Sequence, residues 1–138
     1  MYVLEIENFS FSNPWRLSTF VGEINNYPIS IPYVVVFRPD ERVIGYIILW
    51  FIQEKVQISN FAIHPEFRRL GVGEAVLRYI LAKIKREGAR KVFLEVRPSN
   101  RAALSLYERM GFQILGVRKG YYRSPVEDAL IMGRSIDQ

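Results

Sequence analysis

From residue 33 onward the apolar positions come in strand-length blocks. Tyr33 to Arg38 is a β-branched run, Val43 to Phe51 is nearly all apolar, and Val56 to Ile63 follows a polar turn at Gln53-Glu54-Lys55. Runs this short, bounded by turn residues, predict strands. Pro39-Asp40-Glu41-Arg42 separates the first two, so the three should form an antiparallel meander. Pro65 blocks continuation of the third. The period then changes. Val76, Leu77, Ile80, Leu81 and Ile84 recur at helical spacing within Glu74 to Glu87, with Arg78, Lys83, Lys85 and Arg86 mostly on the other side and Gly88 placed as a cap. Lys91 to Val96 is almost wholly apolar, which predicts a central strand buried on both faces. Strand, helix, strand in so few residues predicts a parallel pair. Asn100 is a good N-cap for a helix over Arg101 to Met110, with Ala102, Ala103, Leu106 and Met110 inward and Gly111 closing it. Gln113 to Arg118 and Ala129 to Ile136 predict a last antiparallel pair, joined by an aromatic and basic loop, Lys119 to Pro125. Ahead of the strands, short helices are expected over Tyr2 to Phe9 and Arg16 to Asn25, with a turn at Ser12-Asn13-Pro14-Trp15. The fold class is α+β: one domain, residues 1–138, around a mostly antiparallel sheet with one parallel pair near its middle.

Composition narrows the chemistry. No cysteine is present and His64 is the only histidine. That excludes disulfides, a cysteine nucleophile and cysteine-ligated metal, and makes a histidine zinc site or a Ser-His-Asp triad hard to build. No metal is expected. No apolar run reaches membrane-spanning length and no signal peptide is visible, so a cytoplasmic chain with no membrane partner is expected. Nineteen basic against fourteen acidic residues give +5. This suits a phosphate-rich cofactor or a ribosomal partner, but is too modest, without aromatics interleaved among the cations of one strand, to predict direct nucleic-acid binding.

Between the third strand and the long helix stands Arg68-Arg69-Leu70-Gly71-Val72-Gly73. Strand, glycine turn and helix together present several backbone N–H groups to one anion, because the first helical turn leaves its donors unpaired and carries partial positive charge. Glycines 71 and 73 let a phosphate approach the main chain, and Arg68 and Arg69 add forked charges. Alone, this pattern is an ordinary loop more often than a phosphate site.

A second block sharpens it. Leu94-Glu95-Val96-Arg97-Pro98-Ser99-Asn100, continuing to Leu106-Tyr107-Glu108-Arg109-Met110-Gly111-Phe112, combines with Asn60 to Pro65 and Arg68 to Gly73 in a pattern that resembles the GNAT superfamily of N-acetyltransferases across roughly residues 3 to 136. Asn13-Pro14-Trp15, the Leu94 to Arg97 strand, and Tyr121-Tyr122 followed by Asp128 to Met132 make it most similar to the RimI branch, the ribosomal-protein alanine N-acetyltransferases. The resemblance implies the GNAT fold, acetyl-CoA as co-substrate and transfer to the N-terminal α-amine of a protein, here a ribosomal protein, by direct attack in a ternary complex. Alternatives on the same scaffold are a lysine or small-amine acetyltransferase and a non-catalytic acyl-CoA-binding module. Family members begin with a strand ahead of the helix matching Tyr2 to Phe9, and this sequence starts inside that helix. Either the first family strand is absent or the sequence starts downstream of the original start; without that strand the Tyr33 to Arg38 edge is left to a substitute or to a second copy, so that either a monomer or a homodimer is expected.

Roles carry over residue by residue. Glu95, a lone acid in an apolar strand, is the implied general base, the structural alternative being an outward charge paired with an arginine such as Arg97. Tyr107 is the implied acid for the sulfur. Phe61, Ala62 and Ile63 match the strand that bulges and offers backbone groups to the pantetheine arm. Arg68, Arg69, Leu70, Gly71, Val72, Gly73 and Glu74 match the pyrophosphate turn. Asn100 resembles the asparagine contacting CoA and can also cap its helix. Tyr121 and Tyr122 resemble loop residues that clamp the substrate N-terminus, and His64 reads as a turn residue. An α-amine, with a pKa of about 8 against about 10.4 for lysine, lowers the cost of reaching the neutral nucleophile by roughly 3 kcal/mol.

Overall fold

The computed structural model describes residues 6, 30–68, 70–123 and 126–136. The two expected N-terminal helices and the turn between them lie outside these residues, apart from Ile6, which is helical and buried. The described chain forms six strands, β1 (Ser30–Phe37), β2 (Arg42–Ile52), β3 (Lys55–Ile63), β4 (Lys91–Val96), β5 (Gln113–Tyr122) and β6 (Glu127–Ser135), with helices α1 (Val72–Arg86) and α2 (Arg101–Arg109). They make one sheet in the order β1-β2-β3-β4-β6-β5. The meander β1-β2-β3 is antiparallel, β3 and β4 are the parallel pair, and β6 enters between β4 and β5. The expected α+β class and the parallel pair at mid-sheet are both present.

The main core lies between α1, α2 and one face of the sheet. Leu77, Ile80 and Ile84 sit one above another on α1 and meet Ile47 and Leu49 of β2, Val56 and Ile58 of β3, and Val92, Leu94 and Val96 of β4. Each such side chain, taken fully out of water, contributes about 1.5–3 kcal/mol. A smaller cluster of Ile6, Tyr46, Ile48 and Ala62 forms on the opposite face.

Three expectations need correction. β4 is buried on one face only: Val92, Leu94 and Val96 enter the core, while Phe93 and Glu95 are half-covered on the other side. Among the described residues neither α1 nor α2 covers that second face of β4, so an apolar run alone overstated its burial. Ala102 is exposed on α2, whose one fully buried residue is Tyr107, supported by half-buried Ala103 and Leu106 and by Met110 just beyond the helix. Lys119 to Tyr122 is strand, not loop. Gly120, at φ 58, and its neighbours bulge opposite Asp128, which accepts from Gly120 N at 2.8 Å, and pairing resumes at Tyr122 and Glu127. A bulge absorbs extra residues without ending a strand.

Candidate active site

The parallel register of β3 and β4 runs from Lys55 and Lys91 to Ile58 and Leu94 and goes no further. β3 nevertheless stays paired with β2 to Ile63, and β4 with β6 to Val96. The cause is local. Ile48 pairs with Asn60 but Leu49 pairs with Ile58, so Ser59 is an extra residue in β3. A bulge of this kind bends and twists its strand. β3 therefore turns away from β4, and the backbone of 59–63 on that side loses its sheet partner. Between the two strands opens a cleft of about 760 Å³, lined among others by Asn60, Phe61, Glu95, Asn100, Tyr107 and Tyr122.

Glu95 projects into this cleft from β4 with its side chain 13% exposed. Gln57 Nε2 donates to its Oε1 at 3.4 Å, and Arg118 stands 3.4 Å from its Oε2. The cation beside it is Arg118, whereas Arg97, the example named in the structural alternative, pairs with Glu127. Glu95 Oε2 is buried and accepts no hydrogen bond, with the Arg118 guanidinium as its charged neighbour.

Tyr107 reaches the cleft from α2. Its ring packs on Phe112 at 5.6 Å between centroids. Burial, helped by Tyr122, raises its hydroxyl above the ordinary value of 10, so it is a neutral donor throughout the physiological range. Tyr121 and Tyr122 stand edge to face at 5.0 Å, at the end of β5. Arg118 lies 5.1 Å above the Tyr121 ring, and Arg97 lies 4.2 Å above that of Tyr122. Burial first and the Glu95 charge second push Tyr122 up to about 12, and the same two causes raise Tyr121. Both phenols are thus within electrostatic reach of Glu95.

The glycine turn adjoins the cleft behind Phe61. Gly71, at φ 79, is the N-cap of α1 and gives it no side-chain cap; the first intrahelical bond is Ala75 N to Gly71 O at 3.0 Å. The N–H groups of Val72, Gly73 and Glu74 consequently have no acceptor within the helix. A Cβ at Gly73 would lie 3.5 Å from Leu106 and 3.9 Å from Phe61, joining this turn to the cleft wall. A carboxylate at Glu74 would repel an anion here, but Arg78 at 3.0 Å and Arg109 at 3.5 Å neutralise it, and Arg78 above all holds it below the usual range. Arg68 is tied by Nε to Ile63 O at 2.9 Å, and Leu70 is exposed. Arg69 lies outside the described residues. Ala62 and Ile63 are buried, so only their backbone can serve a ligand, whereas Phe61 also lines the cleft. Asn100 Oδ1 accepts from Ala103 N at 3.2 Å as an N-cap, leaving Nδ2 as its donor to the cleft. His64 is the expected turn residue, its Nδ1 accepting from Glu66 N.

The structure thus brings Glu95, Tyr107, Asn100, Phe61, Tyr121 and Tyr122 to one cleft, with the glycine turn next to Phe61. The family model for the acetyltransferase (GNAT) family matches residues 1–112. The chain belongs to this family. It is 39% identical over 137 residues to a Bacillus subtilis protein provisionally named ribosomal protein bS18-alanine N-acetyltransferase, covering 99% of this chain and 89% of the relative. It is 31% identical to the Salmonella typhimurium protein of that name, over 96% and 88% of the two chains. The crystal structure of the ribosomal-protein-S18-alanine N-acetyltransferase from Escherichia coli superposes with a TM-score of 0.89 at 28% identity, covering 98% of this chain and 86% of that one.

The protein is accordingly an acetyl-CoA-dependent N-acetyltransferase of GNAT fold. The residues present suit that co-substrate: first-turn donors of α1 for a pyrophosphate, a stretch of β3 backbone parted from β4 for an amide-bearing arm, and the Tyr107 hydroxyl in the cleft lining. Bound, it supplies the acetyl group as a thioester. Among the described residues no helix is long and apolar enough to cross a membrane.

Sequence reasoning missed Gln57, Arg118, Ser99 and Glu127. A signal for Gln57 existed, since it is a polar residue in an apolar strand. Arg118, Ser99 and Glu127 carry no such mark, because their neighbours in space come from distant segments.

Proposed function

We propose that this acetyltransferase acts on the N-terminal α-amine of a ribosomal protein, with the alanine of bS18 as its substrate. The observation that carries the reading is full-length similarity, at 39% identity, to a protein named for that reaction. The cleft supports it. An extended N-terminus can enter beside Tyr121 and Tyr122 and direct its amine toward Glu95. Glu95 Oε2, buried and without a hydrogen bond, takes the proton that the nitrogen sheds as it acylates. Tyr107 donates its hydroxyl to the departing sulfur. Asn100 and the first turn of α1 hold the CoA portion, so donor and acceptor are bound together and the amine attacks directly. An α-amine rather than lysine is favoured because a single carboxylate with a neutral donor suffices at the lower amine pKa. A ribosomal substrate places the enzyme in the cytoplasm.

The test is acetyl transfer to an alanine-initiated peptide carrying one internal lysine, alongside the same peptide with a blocked N-terminus. Mass spectrometry should find one acetyl group, on the α-amine of the free peptide alone. Acetylation of the blocked peptide at similar rate would reassign the enzyme to lysine.

A further inference from the structure

Glu127, the first residue of β6, faces the turn between β4 and α2. Its Oε1 accepts from Ser99 Oγ at 2.8 Å and from Arg97 NH1 at 3.2 Å, and its Oε2 accepts from Ser99 N at 2.9 Å. Arg97 also donates through NH2 to the carbonyl of Arg123 at 3.0 Å, and stacks 4.2 Å above the ring of Tyr122. The side chains of Arg97 and Glu127 are 17% and 20% exposed. Hydrogen bonds from Ser99, more than the nearby guanidinium, hold the Glu127 carboxyl below the usual carboxylate range.

These contacts join two parts of the fold that the sheet leaves unjoined. β4 ends its pairing with β6 at Val96 and Leu130. The last rung of β5 and β6, Tyr122 with Glu127, lies beyond that point, after a bulge in which three residues of β5 face one of β6. A hairpin end reached through such a bulge is weakly fixed by backbone pairing. Exposed ion pairs contribute little, but a largely covered carboxylate accepting three hydrogen bonds, one of them from a forked guanidinium, is a rigid fastener.

We infer that Arg97 and Glu127 are a positioning pair that locks the end of the β5–β6 hairpin to the β4–α2 turn and so fixes Tyr122 over the cleft. The consequence is specific. The same turn begins at the strand carrying Glu95 and ends at Asn100, so the lock sets the distance between the tyrosine wall and the acid. It governs the acceptor side of the cleft, because the glycine turn and α1 adjoin the cleft through Phe61 of β3, away from the β4–β6 contacts. The kinetic part of this inference rests on the protein acceptor proposed above; the mechanical part does not.

The experiment compares Glu127→Ala, Glu127→Gln and Arg97→Lys with the unaltered enzyme, by amide hydrogen exchange and by steady-state kinetics on the alanine-initiated peptide. Glu127→Ala should speed exchange at residues 119–127 at least tenfold while α1 is unchanged, and raise the peptide KM at least fivefold with the acetyl-CoA KM within twofold. Glu127→Gln keeps an acceptor for Ser99 and should recover part of both effects. Arg97→Lys keeps the charge but loses the fork and the stack, and should resemble Glu127→Ala. Exchange at 119–127 unchanged in Glu127→Ala, or an acetyl-CoA KM that rises as much as the peptide KM, overturns the inference. If Glu127→Ala loosens α1 as well, Arg97→Lys decides by the same two criteria. If the unaltered enzyme acetylates no peptide, the acceptor reading fails by itself, and the exchange pattern alone upholds or overturns the lock.

Discussion

Replacing Tyr107 with Phe removes one oxygen and little else. The ring remains packed on Phe112, so folding stability should change little. Catalysis should suffer. The hydroxyl is held above its ordinary value of 10 by burial, whereas a thiol has a pKa of about 8.5. Complete proton transfer from Tyr107 to a thiolate is then uphill by more than about 1.5 units, or roughly 2 kcal/mol. In the proposed mechanism Tyr107 therefore donates a hydrogen bond to charge growing on sulfur, and the proton that finally reaches the thiol comes from water or from the acid formed at Glu95. A donor of this kind, aimed at developing charge, is worth about 10²–10³ in kcat, and without full proton transfer the lower end, about 100-fold, is expected. The absence of cysteine makes the assay direct, since a thiol reagent then reports only released CoA. Tyr107→Phe should lower kcat about 100-fold with the acetyl-CoA KM within threefold. A variant retaining half the activity would remove Tyr107 from the sulfur, and a KM rising in step with the loss would make it a binding group instead.

Glu95→Gln retains the contact with Gln57 but abolishes the proton acceptor; kcat should fall 10²–10⁴-fold with acetyl-CoA affinity intact by calorimetry, and unaltered turnover would dismiss Glu95 as base. Gly45→Ala should destabilise the fold by about 1–3 kcal/mol in urea unfolding, because the new Cβ would lie 2.7 Å from Ile63 Cδ1 and 2.9 Å from the Ala62 carbonyl; an unchanged midpoint would show that β2 and β3 can shift apart. Tyr107 and Tyr122 have folded-state values raised above 10, so the stability gained by burying them neutral is complete below pH 10 and is lost as pH climbs through 12. Thermal melts at pH 9 and 11 should therefore separate, by less in Tyr107→Phe; equal separation in both would mean that Tyr107 plays no part in the alkaline loss.

How far the sequence could be read depends on the range of each interaction. β4 from Lys91 to Val96 matches its expected limits, and α2 ends one residue short of its own, because apolar period and an N-capping asparagine are local signals. Burial faces were harder. Apolar content alone cannot distinguish β4 covered on one side from β4 covered on both, since Phe93 and Glu95 depend on what the rest of the chain lays over them. The end of β5 was misread for a related reason. Lys119-Gly120-Tyr121 has the composition of a loop, and Asp128, accepting from Gly120 N and from Lys119 Nζ across the hairpin, keeps the chain in the strand.

The candidate site shows the same division, with a mechanistic consequence. Glu95, Tyr107 and the glycine turn were legible because each belongs to a short motif on one element. The groups that tune them, Gln57 and Arg118 around Glu95 and Glu127 beside Arg97, come from other strands. Ser59 lies between these classes. Nothing in a lone serine within β3 announces a bulge, yet that one extra residue parts β3 from β4 and creates the cleft. The chemistry thus rests on a one-residue insertion in register. Deleting Ser59 should let β3 and β4 pair beyond Ile58 and Leu94, closing the cleft while leaving the core contacts of Val56, Ile58 and Leu94 in place. The expected product is a folded chain, by circular dichroism and cooperative melting, that no longer binds acetyl-CoA in calorimetry. Retained binding would show that the strands are held apart by something other than the bulge.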